Sequence, residues 1–335
     1  MKRFGNLYCQ IYSLENLRLA HQNAKKGKLH YSEVKIVDSD PEKYLTEIHE
    51  MLKNKTYRTS EYKIFTKFDG KKEREIYVLP YYPDRIIQWA IMQVLEPIWV
   101  GSFVAQTYSS IKARGIHQCL KHLSRDLHRD PAGTKYCLKI DIKKFYPSID
   151  HKILKKTLRY KIKDPDLLTM LDEIIDSSPG VPIGNYLSQY LGNIYLNTFD
   201  HWIKEEKNIH YFYRYCDDVV ILASSKTFLK ELLYEISGYL KLNLNLEINP
   251  RYQIFPTRLR GIDFVGYRFF GDYILLRKSI LKRMKQKLIP LAKFCEVTKH
   301  DLNVVASYNG WLMWCNGYRL MNKYLSPLKE KDVVL

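Results

Sequence analysis

Two adjacent acids in an apolar, strand-like run constrain the fold of this chain most. Asp217 and Asp218 lie in the segment RYCDDVVIL, between the aromatic residues 211–213 and the aliphatic residues 219–222. Both flanks have the aromatic and β-branched composition of strands, which predicts a pair of strands over 209–223 with the acids at the turn. Two carboxylates in such surroundings repel each other and resist the loss of water. The pattern therefore requires either a compensating cation or a plain surface turn, where Asp is a frequent residue.

A third acid ends a separate apolar strand. Residues 135–142, KYCLKIDI, predict a buried strand that ends at Asp141. Asp150 is predicted to cap the following helix, so Asp141 is not needed for that role. Three converging carboxylates would provide hard oxygen ligands for Mg²⁺, with Mn²⁺ as the alternative ion. Two such ions about 4 Å apart stabilise the attacking and leaving oxygens of phosphoryl transfer.

The composition indicates what such a site would act on. Fifty-four Lys and Arg residues oppose 36 Asp and Glu residues, for a formal net charge of +18, and the chain carries 27 Tyr, 13 Phe and 5 Trp residues. A basic, aromatic-rich chain favours a polyanion with stackable bases as its partner. The alternative is a basic surface that is only hydrated. With the three acids, the composition predicts a metal-dependent polymerase or nuclease.

Other classes of protein are disfavoured. No apolar run reaches the roughly eighteen residues that a membrane helix needs, so we expect no membrane span. The six cysteines are scattered without a C-x-x-C pair, which argues against a zinc site or a disulfide framework. A reducing cytoplasm is the expected location.

The pattern of apolar residues predicts an α+β body followed by a helical C-terminal domain, with a boundary near residue 275. A basic hairpin is predicted over 61–79, with its turn in FDGKK, and short strands are predicted over 252–275. From about residue 277 the chain is expected to be entirely helical. The other helices are predicted over 13–26, 41–53, 84–99 with Asp84 as cap, 147–162, 164–176, 185–206 and 226–242.

Four ordered motifs resemble those of reverse transcriptases. RYCDDVVIL resembles their Tyr-x-Asp-Asp box, LKIDIKKFYPSID their first acidic motif, GVPIGNYLSQYLGNIYLNTFD the segment between the two, and GIDFVGYRF the primer grip. The resemblance implies an α+β right-hand polymerase. It places the N-terminal helices and the fingers, with part of the palm, in 1–134. The palm would occupy 135–275, with an interleaved fingers or pocket segment near 150–190, and a helical thumb 276–335.

The resemblance also implies residue roles. Asp141, Asp217 and Asp218 would be the catalytic acids around two Mg²⁺ ions, and Ile142 would add a backbone carbonyl ligand. The nucleotide would be bound by Arg74 with Lys72 or Lys71, by Ile183 and Gln189, and by Tyr146, whose ring would exclude a 2′-hydroxyl. Phe145 is the alternative occupant of that position, or else a core residue. Primer and template contacts would fall to Tyr215, Gly266 and Tyr267.

A shorter pattern points to one subgroup. The residues Ile183-Gly184-x-x-x-Ser188-Gln189 resemble the reverse transcriptases of diversity-generating retroelements, which copy a template RNA inaccurately opposite adenine. This implies template RNA, a cDNA primer–template duplex, deoxynucleoside triphosphates and a basic oligomeric accessory variability protein as partners, in a bacterial, archaeal or phage setting. The alternatives are a retron-type or compact group II intron-type enzyme with ordinary fidelity, or an RNA-binding scaffold with a relict palm.

Overall fold

A computed structural model describes residues 2–69, 72–293, 296–329 and 332–334. Its helices are α1 Tyr8–Tyr12, α2 Leu14–Ala24, α3 Ser32–Ser39, α4 Pro41–Lys53, α5 Ile86–Val100, α6 Ile116–Arg129, α7 His151–Arg159, α8 Pro165–Asp176, α9 Tyr186–Tyr195, α10 Asn197–His201, α11 Lys226–Leu244, α12 Thr257–Arg260, α13 Lys278–Leu291, α14 Lys299–Leu312, α15 Tyr318–Tyr324 and α16 Ser326–Lys329. Within these ranges, no helix has both the length and the apolar character that crossing a membrane requires.

The strands form small sheets. The hairpin β1–β2 stands alone, β4-β5-β3-β6 form an antiparallel sheet in that order, β7-β8-β9 form a second one, and β10 pairs with β11 in parallel. The strands are β1 Lys63–Asp69, β2 Lys72–Val78, β3 Tyr136–Asp141, β4 Tyr211–Tyr215, β5 Asp218–Ala223, β6 Gln253–Pro256, β7 Ile262–Phe264, β8 Tyr267–Phe269, β9 Ile274–Leu276, β10 Glu296–Thr298 and β11 Asp332–Val334.

The chain divides into two compact units. The first, here called the helical unit, comprises Met1–Ser110, Ile142–Asn208 and Ile236–Asn249. The second, the sheet unit, comprises Ile111–Asp141, Ile209–Glu235 and Pro250–Leu335. Each unit is therefore assembled from three separate parts of the sequence.

The helical unit is held together by apolar helix faces and by buried polar contacts. The carboxylate of Asp164 caps α8 and also accepts hydrogen bonds from the backbone N–H groups of Leu7 and Tyr8, at 2.7 and 3.0 Å. These bonds hold the pKa of Asp164 below its ordinary value, although burial alone would raise it. One buried acid thus joins the N-terminal segment to a helix more than 150 residues later in the chain.

One predicted helix cap in this unit is confirmed and another is wrong. Asp150 does cap α7, because its side chain accepts from the N–H groups of Lys152 and Ile153. Asp84 does not cap a helix. It is fully buried before α5 and accepts from the Tyr57 hydroxyl at 2.7 Å and the Ser60 N–H at 3.2 Å. Gly70 and Lys71, in the predicted turn of the β1–β2 hairpin, lie outside the described residues.

The long helix predicted over 185–206 is interrupted. Helix α9 ends at Tyr195, α10 follows over Asn197–His201, and a wider π turn covers Trp202–Glu206. At the break the N–H of Leu196 is shared between the carbonyls of Gly192 and Ile194, which tightens the last turn of α9. A continuous apolar pattern does not reveal such local changes of helical pitch.

The sheet unit centres on a strand that is buried on both faces. Val219, Val220 and Ile221 of β5 are fully buried, and β5 is paired on one side with β4 and on the other with β3. Helix α6 supports the sheet, because Asp126 accepts a hydrogen bond from the hydroxyl of Tyr213 at 2.6 Å. The predicted strands over 135–142 and 209–223 are therefore confirmed.

The prediction that the C-terminal region is entirely helical is wrong at two short segments. Residues 296–298 and 332–334 form the parallel pair β10–β11. A strand of three residues is too short to show the period-two alternation by which strands are recognised in a sequence. The other regular elements among the described residues of this region are the helices α13 to α16.

Candidate active site

The three acids singled out in the sequence lie together at one end of the four-stranded sheet. The register pairs Asp141, the last residue of β3, with Asp218, the first residue of β5. Asp218 is also paired with Tyr215 of β4, so Cys216 and Asp217 form the turn between β4 and β5. We call residues 211–223 the carboxylate hairpin. The backbone pairing of this hairpin with β3 holds the backbone of all three acids at the same end of the sheet.

The side chains next to the acids in β3 and β5 are mostly apolar and buried. In β5, the residues Val219–Ile221 that follow Asp218 are at most 1% exposed. The same is true of Leu138 and Ile140 in β3. An ionised carboxylate in the middle of these strands would lose its hydration without compensation. At the strand ends the three acids are only partly buried, so solvent or a ligand can reach them.

The acids perturb one another as the sequence predicts for crowded carboxylates. Burial, then the nearby charge of Asp141 and that of Asp218, raise the pKa of Asp217 to about 6. Burial also raises the pKa of Asp218; Lys139 acts in the opposite direction and Asp141 adds to the increase. The ionised forms of Asp217 and Asp218 are therefore disfavoured in the folded chain, and a bound cation would restore them.

The donor set fits hard divalent cations. The charge of Asp141 is one of the causes that raise the pKa of Asp217, so the two carboxylates are close enough to repel each other. A metal ion would supply the missing positive charge and could bind oxygens of both carboxylates. Within the described ranges, however, no three His, Cys, Asp or Glu side chains are already gathered as a complete metal site. The carboxylates would need to close around an ion.

Sequence reasoning missed Arg214. This residue is fully buried in β4, and its guanidinium donates a hydrogen bond to the carbonyl oxygen of Cys216 at 2.9 Å. Cys216 has a φ of 60°, a left-handed conformation that costs energy for a residue with a side chain. The hydrogen bond supports this strained turn directly before Asp217. The signal in the sequence is a charged residue within the otherwise apolar run YFYRY.

The residues predicted to bind the nucleotide belong to the helical unit. The carbonyl of Ile183 accepts a hydrogen bond from the N–H of Tyr77 in β2, at 2.8 Å. Gly184 has a φ of +129°, and a Cβ at this position would lie 2.5 Å from the Tyr77 carbonyl oxygen. Residues 183–192, here called the pocket segment, are therefore fixed to the strand that carries Arg74.

Gln189 is exposed and lines a cavity of about 180 Å³ together with Gly184, Trp89 and Arg85. Arg74 is also exposed, on β2 opposite Lys67 of β1. The side chain of Lys72 lies outside what the structure describes, as does Lys71. Arg74, Ile183 and Gln189 are thus placed in one unit, and their roles towards a nucleotide stay predictions.

The two aromatic residues after the first acidic motif differ in burial. Phe145 is 3% exposed and packs against the ring of Tyr146 at 5.1 Å, as a core residue does. Tyr146 is half-buried, and both rings lie 3.2 Å from where a Cβ of Gly192 would be. The interpretation of Phe145 as a core residue agrees with this burial, which leaves Tyr146 as the aromatic residue that a sugar could contact.

The remaining predicted residues are distributed as follows. Ile142 is 2% exposed and bridges to Ile248. Gly266 has a φ of +90°, and a Cβ there would be 2.5 Å from the ring of Trp311. Tyr267 is fully buried and donates its hydroxyl to the Trp311 carbonyl at 3.0 Å. Packing against Trp311 accounts for both residues, so a primer contact at Tyr267 would fall to its backbone.

A family model gives the first comparison with known proteins. The model of the family described as reverse transcriptase (RNA-dependent DNA polymerase) matches residues 66–269, which is more than half of the chain. The match includes both acidic motifs, the pocket segment and the Gly266 region. It ends before helix α13.

Curated relatives agree with the family match. Protein YkfC of Escherichia coli strain K12 is 26% identical over 235 residues, which cover 57% of this chain and 61% of YkfC. The group II intron-encoded protein LtrA of Lactococcus lactis subsp. cremoris is 27% identical over 183 residues, which cover 51% of this chain and 30% of LtrA. The chain thus spans less than two thirds of each of these relatives.

Solved structures show the same fold at low identity. Apo telomerase from Candida tropicalis superimposes with a TM-score of 0.53 at 15% identity, over 71% of this chain and 51% of that chain. Telomerase from Candida albicans, in complex with a fragment of telomeric RNA, gives a TM-score of 0.51 at 14% identity, over 84% and 58%. The predicted α+β right-hand polymerase fold is confirmed. Together with the family match over residues 66–269, this shows that the chain belongs to the reverse transcriptase family.

Proposed function

We propose that this chain is an RNA-directed DNA polymerase, which extends a primer on an RNA template with deoxynucleoside triphosphates. The observation that supports this most strongly is the pairing of Asp141 with Asp218, beside Asp217 at the turn, in a chain of this family. The division into fingers, palm and thumb that the sequence predicts at residues 1–134, 135–275 and 276–335 is part of the same proposal.

The reaction is nucleotidyl transfer. The primer 3′-hydroxyl gives up its proton to water, and its oxygen forms a bond to the α-phosphorus of the incoming nucleotide. The bond between that phosphorus and the oxygen bridging to the β-phosphate breaks, and pyrophosphate leaves with the electron pair. Asp141 and Asp217 would hold two Mg²⁺ ions, or Mn²⁺, with Asp218 and the Ile142 carbonyl as further ligands. When bound, the ions lower the pKa of the attacking hydroxyl and neutralise the leaving group.

The other predicted residues would position the substrates. The guanidinium of Arg74 suits the oxygens of a triphosphate, because its planar fork donates two parallel hydrogen bonds. Ile183 and Gln189 would border the base, and Tyr146 would leave no room for a 2′-hydroxyl. Arg214 would act through the Cys216 turn, as a positioning residue for Asp217.

We further propose that the enzyme serves a diversity-generating retroelement. The support is the pattern Ile183-Gly184-x-x-x-Ser188-Gln189, in a segment that lies against β2 through the Ile183 carbonyl and the close approach of Gly184. In this role it would make errors opposite template adenine and would work with a basic oligomeric accessory protein and its own template RNA.

A group II intron-type or retron-type enzyme with ordinary fidelity is the second candidate. The relative LtrA favours it, because that protein is named as group II intron-encoded. The two candidates share the carboxylate hairpin and differ in what the pocket segment does. A measurement of copying fidelity therefore distinguishes the two candidates, whereas a measurement of polymerase activity does not.

The test is primer extension by the purified chain with Mg²⁺, on an RNA template that holds all four bases, followed by sequencing of the products. Asp218→Ala is the inactive control. We expect extension with errors concentrated opposite adenine. Uniform, low error rates would reject the retroelement role, while an active Asp218→Ala variant would reject the catalytic assignment. A silent wild type is retested with an accessory protein and its RNA.

A further inference from the structure

The helical unit contains a cavity of about 940 Å³ that includes none of the residues assigned to catalysis. It is bordered by the C-terminal end of α5, by α7 and the residues after it, by the α10 and π-turn segment, and by Tyr239 of α11. Cavities of this size are typical of ligand sites in proteins. All of its lining residues belong to the same unit.

Two lining side chains carry buried polar atoms that have no partner among the described residues. They are the indole Nε1 of Trp99, a residue 1% exposed, and the amide oxygen Oδ1 of Asn197. Leaving a buried donor and a buried acceptor unpaired is costly. A ligand that presents one acceptor and one donor would satisfy both. The edges of nucleobases combine donors and acceptors in this way.

An aromatic wall lies on another side of the cavity. The ring of Trp202 stacks on that of Tyr239, with centroids 4.4 Å apart and planes inclined by 25°, and Tyr160 is 44% exposed. Such flat, partly accessible rings are the surfaces on which unpaired bases stack. An aliphatic ligand would gain nothing from their planarity.

The charges on the lining residues favour an anion. Lys156 and Lys161 line the cavity on and just after α7, with Arg3 nearby. Arg159 also lines it, but it is engaged by Asp172 at 2.5 Å. The acids present are Glu205, which bonds His201 at 2.6 Å, and Glu206. The α7 side is therefore basic, and phosphate groups are the anions that a basic, aromatic site fits best.

We propose that this cavity binds an unpaired nucleotide of single-stranded RNA. Its base edge would pair with Trp99 and Asn197, its ring would stack within the aromatic wall, and its phosphates would follow Lys156 and Lys161. The inference rests on the proposed function in one respect only: the RNA would be the enzyme's own template transcript, held at a position other than the one being copied. The site recognises RNA whether or not the chain polymerises.

The test uses a short single-stranded RNA in which uridines are replaced by photoreactive iodouridine, which links to stacked aromatic rings on irradiation. The full chain is cross-linked and the modified peptides are identified. We expect links to Trp202, Tyr160 or Tyr239. The absence of links at all three would overturn the proposal.

Matched variants separate this site from general attraction between RNA and a basic chain. Lys156→Glu with Lys161→Glu should lower cross-linking at the aromatic wall by about tenfold or more, because phosphate contacts and stacking each contribute strongly to such binding. Lys152→Glu is the control, since Lys152 is exposed on the same helix and does not line the cavity. Equal losses in both variants, or none in the double variant, would contradict the site.

Asn197→Leu gives a second, independent readout. Removing an unpaired buried acceptor should keep or raise the melting temperature of the free chain, whereas RNA cross-linking at the wall should fall. A variant that cross-links like the wild type would contradict the role of the amide. Extension of a saturating primed template should be unchanged in these variants, so failure of the polymerase proposal shows in that assay and failure of this site in the cross-linking.

Discussion

The carboxylate hairpin and the pocket segment hold their functional groups in different ways. In the hairpin, β5 is paired on both sides, so backbone hydrogen bonds determine the position of the backbone at the three acids. In the pocket segment, Gly184 lies so close to β2 that a Cβ would meet a carbonyl oxygen at 2.5 Å. Replacing an acid of the hairpin should therefore leave the fold intact and abolish the chemistry, whereas the pocket segment should be sensitive to a single added methyl group.

The largest effect is expected from Asp217→Asn. Losing one of the proposed metal ligands should reduce primer extension by about 10⁴-fold or more. The free energy of unfolding should rise by about 1 kcal/mol, because the raised pKa of Asp217 shows that its ionised form is disfavoured in the fold. Single-turnover extension and urea unfolding measure the two quantities.

Asp272→Asn is the matched control for this change, since Asp272 is an exposed acid of the same unit that pairs with Arg258 at 3.5 Å. It should change neither quantity appreciably. Retention of activity in Asp217→Asn would show that the hairpin acids are structural.

Arg214→Lys is expected to have the next largest effect. A lysine keeps the charge but cannot reproduce the guanidinium geometry towards the Cys216 carbonyl, so the turn before Asp217 should shift. Misplacement of a catalytic group by about 1 Å costs on the order of 10²-fold in rate. We expect a fall in kcat with little change in the KM for nucleotide, measured by steady-state extension.

The exposed Arg258 provides the control, as Arg258→Lys. If Arg214→Lys lowers stability but leaves kcat of the folded fraction intact, the residue supports only the core of the sheet.

Gly184→Ala tests the pocket segment. The added methyl group meets the Tyr77 carbonyl and the residue has a φ that alanine rarely adopts, so the segment must move away from β2. We expect the KM for nucleotide to rise by about tenfold, which corresponds to roughly 1.4 kcal/mol, with a smaller change in kcat.

Gly184→Ala should therefore raise the KM for nucleotide more than it lowers kcat, whereas Arg214→Lys should lower kcat with little change in KM. Nucleotide titrations at fixed primer–template would show it. An unchanged KM, with the variant folded, would mean that this contact does not shape a nucleotide pocket.

The smallest effect is expected from Gln189→Ala. The side chain is exposed at the 180 Å³ cavity and its loss should not disturb the fold. We expect the melting temperature to stay the same and the ratio of errors opposite adenine to those opposite other bases to change by about threefold, the scale of one weak contact. Product sequencing measures this ratio. No change would remove Gln189 from the proposed determinants of fidelity.

The sequence predicts the hairpin well because its signals are local. Adjacent acids between β-branched runs, and Asp141 at the end of another such run, are sufficient to predict strands that meet at their polar ends. The cap at Asp150 follows from the same kind of short-range pattern.

The features that were missed depend on which groups the folded chain brings into contact. Asp84 has the sequence context of a helix cap, yet its carboxylate accepts hydrogen bonds from the Tyr57 hydroxyl and the Ser60 N–H instead. Arg214 could be noticed as a charge in an apolar strand, but its partner is determined by the conformation of Cys216. The pairing of β10 with β11 joins segments more than 30 residues apart. None of these contacts has a periodic signature.

We expect the carboxylate hairpin to perform metal-dependent polymerisation on RNA. The most direct measurement is the addition of a single nucleotide to a primer on an RNA template, followed while Mg²⁺ is titrated, for the wild type and for Asp141→Asn. We expect addition to require Mg²⁺ and to be lost in the variant at every Mg²⁺ concentration. Addition that persists in a chelator, or that Asp141→Asn carries out as fast as the wild type, would contradict it.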